Sequence, residues 1–304
     1  MLNLFGEINM TQQFSWVENF ISLEAEGPHI RPTVYTRLTG CNFECAGFNN
    51  PNNVPVSIDS LGFDPKRIPT LTEMPPIEIH CDSTYAHNPL FEHIWTKGSA
   101  DDLIDEIEKL LPHKSWIHPV SKLPYMFSIT GGEPTLFGKQ IPELINHPRM
   151  QDCEVIIIET NCSVPLHKKL LEGIDFWLSG NKNRKWIWSN SPKMSNSGEA
   201  YSKAIKPLIA KQQLSLMYNR QVEQYFKFVC TDSIDDFNEV GKIVKDFREN
   251  GSIPLSSTIY IMPMACNKEQ QDEIARNVAA LCIEHGYYYS YRIQNALWSN
   301  LVGT

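Results

Sequence analysis

Short runs of β-branched and aromatic residues recur along the chain, each followed by a Gly, Pro or Asn turn and then a more polar stretch. Runs at Thr33–Leu38, Tyr125–Ile129, Glu154–Ile158, Tyr225–Val229, Thr258–Met262 and Tyr287–Ile293 predict strands. Between them the apolar spacing changes from two residues to three and four. A helix is predicted over Ala100–Leu111, where Ser99 and Asp102 offer a cap and Leu103, Ile104, Ile107, Leu110 and Leu111 form one apolar face. A second is predicted over Lys268–His285, with Ile274, Val278, Leu281 and Cys282 on one face and Gly286 as its stop. Strand followed by helix, repeated five or six times, implies an α/β fold with a curved parallel sheet. Two regions break the rhythm. Residues 46–80 carry six prolines and almost no helical period, as a long functional or mobile excursion does. Residues 181–222 are polar around NSPKMSNSGE and then helical. Neither resembles a linker, and there is no internal repeat.

Composition narrows the function. With 304 residues, 42% hydrophobic, the chain can bury a full core without covalent staples, and eight cysteines are too few for a disulfide scaffold. Met1–Phe14 is polar and no stretch approaches 18 apolar residues, so neither secretion nor membrane spanning is expected, and a reducing cytoplasm is the default. A net charge of -8 disfavours a protein that grips a phosphate backbone. A small molecule is the expected partner.

The cysteines then need a reason. Cys41 and Cys45 follow the run VYTRL, so two thiols are presented from a loop at the carboxyl end of a strand, where parallel α/β sheets carry their chemistry. A third, Cys81, follows the excursion. Spacing alone leaves metal ligation and plain packing equally open. Gly131 and Gly132 in FSITGGEPTL end another strand, and two residues without Cβ allow a ligand close to the backbone.

Taken together, C-x3-C after the first strand and TGGEP after a later one resemble the radical S-adenosylmethionine superfamily. Its third cysteine usually lies three positions beyond the second, where this chain has Phe48. Reading on, Cys81-Asp82-Ser83-Thr-Tyr is similar to the stretch that ends the cluster loop in the 7-carboxy-7-deazaguanine synthases, so residues 46–80 read as an insertion and Cys81 as the third ligand. FISLEAEG (Phe20–Gly27), the Thr33–Cys45 segment, IIIETN (Ile156–Asn161), SPK (Ser191–Lys193), KFV (Lys227–Val229), IMP (Ile261–Pro263), SYR and WSNLVGT follow in that family's order.

The resemblance implies one domain over residues 1–304, a partial (β/α)6-type radical S-adenosylmethionine barrel with an enlarged cluster loop at 46–80. It implies a 4Fe-4S cluster on Cys41, Cys45 and Cys81, with one iron left open for S-adenosylmethionine, whose reductive cleavage gives a 5'-deoxyadenosyl radical. Gly131, Gly132 and Glu133 would hold the methionine end. Glu159, Asn161, Ser191, Pro192 and Lys193 would contact ribose or carboxylate, His80, Met262 and Pro263 would flank the adenine, and Asp82 would bind the same cofactor. Ser83 would ligate Mg²⁺. Leu23, Glu24, Ala25, Arg37, Thr130 and the terminal Thr304 would line the site of the pterin substrate, Arg37 by forking onto its carboxylate. The implied reaction contracts 6-carboxy-5,6,7,8-tetrahydropterin to 7-carboxy-7-deazaguanine with loss of ammonia, in a cytoplasmic homodimer served by a flavodoxin or ferredoxin as electron donor, with no membrane and no direct nucleic-acid contact.

The chain departs from the family at Glu24 and Ala25, which stand for Gln-Gly, at Cys162, which stands where Gly often follows ETN, and at Gln294, which replaces a common His. Two other readings share the cysteines. One is a glycyl-radical activase acting on a protein, and the other a non-enzymatic module with zinc on Cys41, Cys45, Cys81 and His80. Cys153, Cys162, Cys230, Cys266 and Cys282 fall in apolar contexts and are expected in the core.

Overall fold

The structure, a computed structural model, describes residues 13–304 except 24, 27, 28, 252, 254–256, 300, 302 and 304, with the side chains of 25, 26, 29 and 30 also outside the description. One sheet contains nine strands: β1 (Phe14–Ser22), β2 (Thr33–Leu38), β3 (Thr96–Gly98), β4 (Met126–Gly131), β5 (Val155–Thr160), β6 (Lys185–Asn190), β7 (Val222–Cys230), β8 (Thr258–Pro263) and β9 (Tyr288–Tyr289). Their order is β9-β8-β7-β6-β5-β4-β2-β1-β3. All neighbours from β2 to β9 are parallel, while β1 lies antiparallel to β2 and to β3. From β4 to β9 each strand lies beside the next in the chain, so the crossovers all step in one direction. Connections of constant hand then stack their helices on one face.

That face is the main core. Side chains alternate across a strand, and Val34, Leu38, Phe127, Ile129, Ile156, Ile158, Trp186 and Trp188 all point to helices α1 (Ala100–Leu110) and α2 (Lys168–Ser179), meeting Leu103, Ile107, Leu170, Ile174 and Trp177. Further along the sheet Phe226, Phe228, Ile259 and Ile261 pack on Phe237, Val240 and Phe247 of α3 (Ile234–Glu249) and on Val278 and Cys282 of α4 (Lys268–His285). The opposite face is apolar only in part. Met126, Ile157, Ile187, Tyr225 and Tyr260 cluster there. By the same alternation Arg37, Thr130, Glu159, Ser189 and Lys227 occupy that face nearer the carboxyl ends of their strands.

The α/β class and the parallel sheet agree with the sequence pattern, and β2 has its expected bounds. The other expected strands shift by a few residues, and Tyr287–Ile293 is corrected: only Tyr288–Tyr289 is extended before the chain enters a helix at Ile293–Trp298. β1, β3 and β6 were not expected. In β6 the apolar run WIW is only three residues long and is framed by Lys, Ser and Asn, so it is hidden inside a polar stretch. α1 starts with the expected reciprocal cap between Ser99 and Asp102. α4 ends at Gly286, whose φ of 72° is left-handed. The excursion contains a helical turn at Ile58–Leu61 and 3-10 turns at Pro65–Arg67 and Leu71–Glu73.

Ile158 is 0% exposed between helix and sheet. Truncation in Ile158→Ala should therefore lower the urea-unfolding free energy by about 2–5 kcal/mol. Asp101→Ala, whose carboxylate is 71% exposed beside His147 and Arg149, should change it by less than about 1 kcal/mol.

Candidate functional site

Beyond β2 the chain turns through Gly40, at φ 84°, into the segment Cys41–Cys45. The turn is fixed by Phe43 N–H donating to Cys41 Sγ (3.4 Å) and by the Glu199 carboxylate accepting from the amides of Glu44 (2.8 Å) and Cys45 (3.2 Å). The excursion then leaves and comes back on itself. His80 N–H donates to Phe48 O at 2.7 Å, which closes the neck and delivers Cys81 to the other two thiols. Cys41 and Cys81 pack against the cluster that contains Cys45, and all three cysteines line one cavity of about 230 Å³. Burial pushes the Cys41 thiol up to about 12, against the Phe43 amide that donates to it. Hydrogen bonds from Cys45 and His87 hold the Cys81 thiol well below the usual range, and Cys45 is raised in exchange.

The TGGE turn packs onto this loop. A Cβ on Gly131 would lie 2.0 Å from Leu38 O, and one on Gly132 would lie 2.1 Å from Gly40 O and 2.9 Å from Cys41 Cβ. The space left by these side chains is therefore filled by the chain's own backbone, a different reason for the glycines from the ligand approach that the sequence suggested. Glu133 N–H donates to Gly40 O at 2.8 Å. The Glu133 carboxylate is 0% exposed. Its Oε1 accepts from Thr135 N–H (3.0 Å), Thr135 Oγ1 (2.5 Å) and Thr160 Oγ1 (2.8 Å), and its Oε2 from Asn161 N–H (2.7 Å). Burial raises its pKa against those hydrogen bonds. Glu133 thus stands behind the cavity wall and ties the end of β5 to the TGGE turn.

Ionic and polar side chains form the floor. Arg37 donates from Nε to Glu18 Oε1 and from Nη1 to Ser83 Oγ, both at 2.7 Å, with the Phe20 and Tyr85 rings 5.7 and 5.5 Å from the guanidinium. Tyr85 Oη also donates to Glu18. Arg292 reaches Asp82 Oδ2 at 3.1 Å. Although partial desolvation of its 52%-exposed carboxyl opposes it, the charges of Arg292 and Arg37 bring Asp82 down to about 2. Glu159 accepts from Ser128 Oγ at 2.9 Å and lies 3.9 Å from Lys227 Nζ. Asn161 Nδ2 donates to Asn42 Oδ1 at 2.8 Å, close to Cys41 Sγ.

Of the residues singled out from sequence, Arg37, Cys41, Cys45, His80, Cys81, Asp82, Ser83, Thr130, Gly131, Gly132, Glu159, Asn161, Ser191, Lys193, Met262 and Pro263 all line the cavity. Glu133, Pro192 and Leu23 do not. Glu24 and Thr304 lie outside the described residues, as does the side chain of Ala25. Sequence reasoning missed Glu18, because it stands on the unexpected strand β1, and gave no role to Tyr85 and Arg292. Cys266 is corrected: it is not in the core but lines the same cavity, its Sγ 3.0 Å from Asn49 Nδ2 and 3.2 Å from Glu78 O. Cys153, Cys162, Cys230 and Cys282 are buried as expected.

Three thiols on one cavity suit an iron-sulfur cluster, in which each thiolate takes its own iron. Among the described residues no three His, Cys, Asp or Glu side chains converge as a single metal ion requires. A magnesium ion on Ser83 does not fit the present arrangement. The Ser83 hydroxyl accepts from the Arg37 cation at 2.7 Å and donates to Asp82 Oδ1 at 3.3 Å, so a divalent ion would sit against a guanidinium. No protein-family model matches the chain, and no curated protein sequence matches it.

Every group around the Glu133 carboxylate is placed to donate. Glu133→Gln keeps the shape but turns one acceptor into a donor facing another donor, and should cost about 1–3 kcal/mol in urea unfolding. Glu133→Asp, which keeps the charge and shortens the reach, should cost no less.

Proposed function

We propose that this protein is a radical S-adenosylmethionine lyase of the 7-carboxy-7-deazaguanine synthase type, acting on 6-carboxy-5,6,7,8-tetrahydropterin. The observation that carries the proposal is the closure of the excursion, which sets Cys81 against Cys45 and beside Cys41 at the carboxyl end of the first parallel strand. The one-directional strand order supports the partial-barrel form of the fold. When bound, the cluster and S-adenosylmethionine would supply a carbon radical that abstracts hydrogen from the substrate.

The chain's own residues bind, orient and exclude water. Cys41, Cys45 and Cys81 would hold the cluster, and Asn161 fixes the Cys41 loop through Asn42. Lys193, with Ser191 at 3.4 Å, offers a cation for a carboxylate. Arg37 is pinned between Glu18 and Ser83 with two aromatic rings nearby, so its guanidinium is pre-oriented before any anion arrives. Thr130, opposite Arg37 in the sheet register, lies at the same level of the floor. The reading extends to a cytoplasmic homodimer that draws electrons from an external donor.

Iron and sulfide reconstitution under anaerobic conditions tests the ligand set. Cys81→Ala should lose cluster absorbance and deoxyadenosine formation by more than tenfold, while Cys266→Ala and Phe48→Ala keep both. A wild-type protein that stays colourless and binds stoichiometric zinc instead would falsify the proposal. With reductant and S-adenosylmethionine the wild-type protein should convert the carboxytetrahydropterin, and deoxyadenosine without deazaguanine would reassign the substrate.

A further inference from the structure

Glu18 on β1 stands opposite Arg37 on β2 in the sheet register, and both line the cavity. Their ion pair touches at one point only. Glu18 Oε1 takes both donors, Arg37 Nε at 2.7 Å and Tyr85 Oη at 3.0 Å. Glu18 Oε2 is buried with no hydrogen-bond partner among the described residues, on a side chain that is 9% exposed. Arg37 uses Nε on Glu18 and Nη1 on Ser83, which leaves Nη2 without a partner among the described residues. A guanidinium that met the carboxylate side-on would give Nε to one oxygen and Nη2 to the other. Here Tyr85 on Oε1 and Ser83 on Nη1 hold the two groups off that position, so the pair keeps one donor and one acceptor unused. A buried carboxylate oxygen without a donor is costly, and a ligand that brings one removes the cost.

We infer that Glu18 is a specificity-determining residue: its Oε2 accepts an N–H from the ligand, while Arg37 Nη2 donates to an anionic oxygen that the ligand carries beside that N–H. In the proposed substrate the carboxylate stands on C6, next to N5, and N5 carries hydrogen only in the reduced ring. Once that ring is aromatic, N5 presents a lone pair instead. A lone pair set against a carboxylate oxygen is repelled and leaves both without a donor. Glu18 therefore selects the oxidation state of the ring, which the anion-binding role of Arg37 does not do. The assignment rests on the proposed pterin only for which N–H is accepted.

Anaerobic calorimetry on the full-length reconstituted protein, without reductant so that nothing turns over, tests the inference with two pairs of ligands. One pair is 6-carboxy-5,6,7,8-tetrahydropterin and 6-carboxypterin. The other, which lacks the pyrimidine, is 1,2,3,4-tetrahydroquinoxaline-2-carboxylate and quinoxaline-2-carboxylate. The wild-type protein should bind the reduced member of a pair at least about a hundredfold more tightly than the aromatic one. Glu18→Gln sets an amide N–H where Oε2 stood, and should shrink that preference by about tenfold or more, weakening the reduced member and strengthening the aromatic one. Equal binding of the two members by the wild-type protein, a result that needs no variant to fold, would overturn the role of Glu18. So would a Glu18→Gln variant that weakens both members alike and keeps their ratio. The expected preference among the quinoxalines, with neither pterin bound, would uphold Glu18 and reject the pterin, and binding of none of the four would overturn both.

Discussion

The hydrogen bond from His80 N–H to Phe48 O is the constraint on which the site depends. Cys45 and Cys81 are far apart in sequence, and bringing the ends of a loop of about 30 residues together costs about 3 kcal/mol in the length-dependent part of the closure entropy alone. One hydrogen bond returns about 1 kcal/mol net, so the neck cannot hold itself shut. The remainder has to come from contacts inside and beneath the excursion. His80 Nε2 donates to Val54 O at 3.1 Å, Asn50 Nδ2 donates to Ala46 O and Val54 O, and Leu71 buries its side chain against β1. The prolines act in the same direction by lowering the entropy of the open loop. The same segment that positions the third thiol thereby becomes a cavity wall, because a loop anchored over β1 must pass across the carboxyl ends of β1's neighbours.

The floor of the cavity is built from charges that answer one another. Arg37 faces Glu18, Arg292 faces Asp82, and Lys227 faces Glu159. A chain of net charge -8 thus presents a cavity in which three cations stand near acids, while Lys193 donates to the Ser191 hydroxyl at 3.4 Å. Pairing serves orientation more than attraction. Removing one partner of a part-buried pair leaves the other charge in a low dielectric, which is costly, so each paired side chain is held in one direction.

Much of this was legible in the sequence, for identifiable reasons. The central strands carry apolar residues on both faces or nearly so, and their runs stand out, as VYTRL and EVIII do. The capped helices at Ser99 and Asn267 have local signals that survive without tertiary context. β1 was invisible because its burial pattern keeps no strict alternation, and it pairs antiparallel at an edge that the βα rhythm does not foretell. Thr96–Gly98 is three residues long and has no pattern to detect. At the site, the cysteines and the TGGE turn were legible as motifs, but Glu18, Tyr85 and Arg292 were not. Their roles come from meeting Arg37 and Asp82 across the fold, and no spacing along the chain records that. Cys266 misled because its neighbours in IMPMAC are apolar while its thiol faces the loop end at Glu78.

The glycines of the site separate two constraints that sequence alone merges. Gly131 and Gly132 are required by space: at both, the volume a Cβ would occupy already holds backbone carbonyls of the Leu38–Gly40 turn, and backbone cannot step aside without dragging Cys41 with it. Cys162 shows the other constraint by itself. It has φ 58°, a left-handed conformation, yet carries a side chain that is 1% exposed in the apolar cluster with Phe226, Phe228 and Met194. The left-handed turn costs about 1–2 kcal/mol for a residue with a Cβ, and burying a small apolar side chain returns about as much. A cysteine at that turn is therefore close to neutral, because its Cβ points into a core that receives it. At Gly132 no such return exists, since the neighbour is the main chain of the Gly40–Cys41 turn itself.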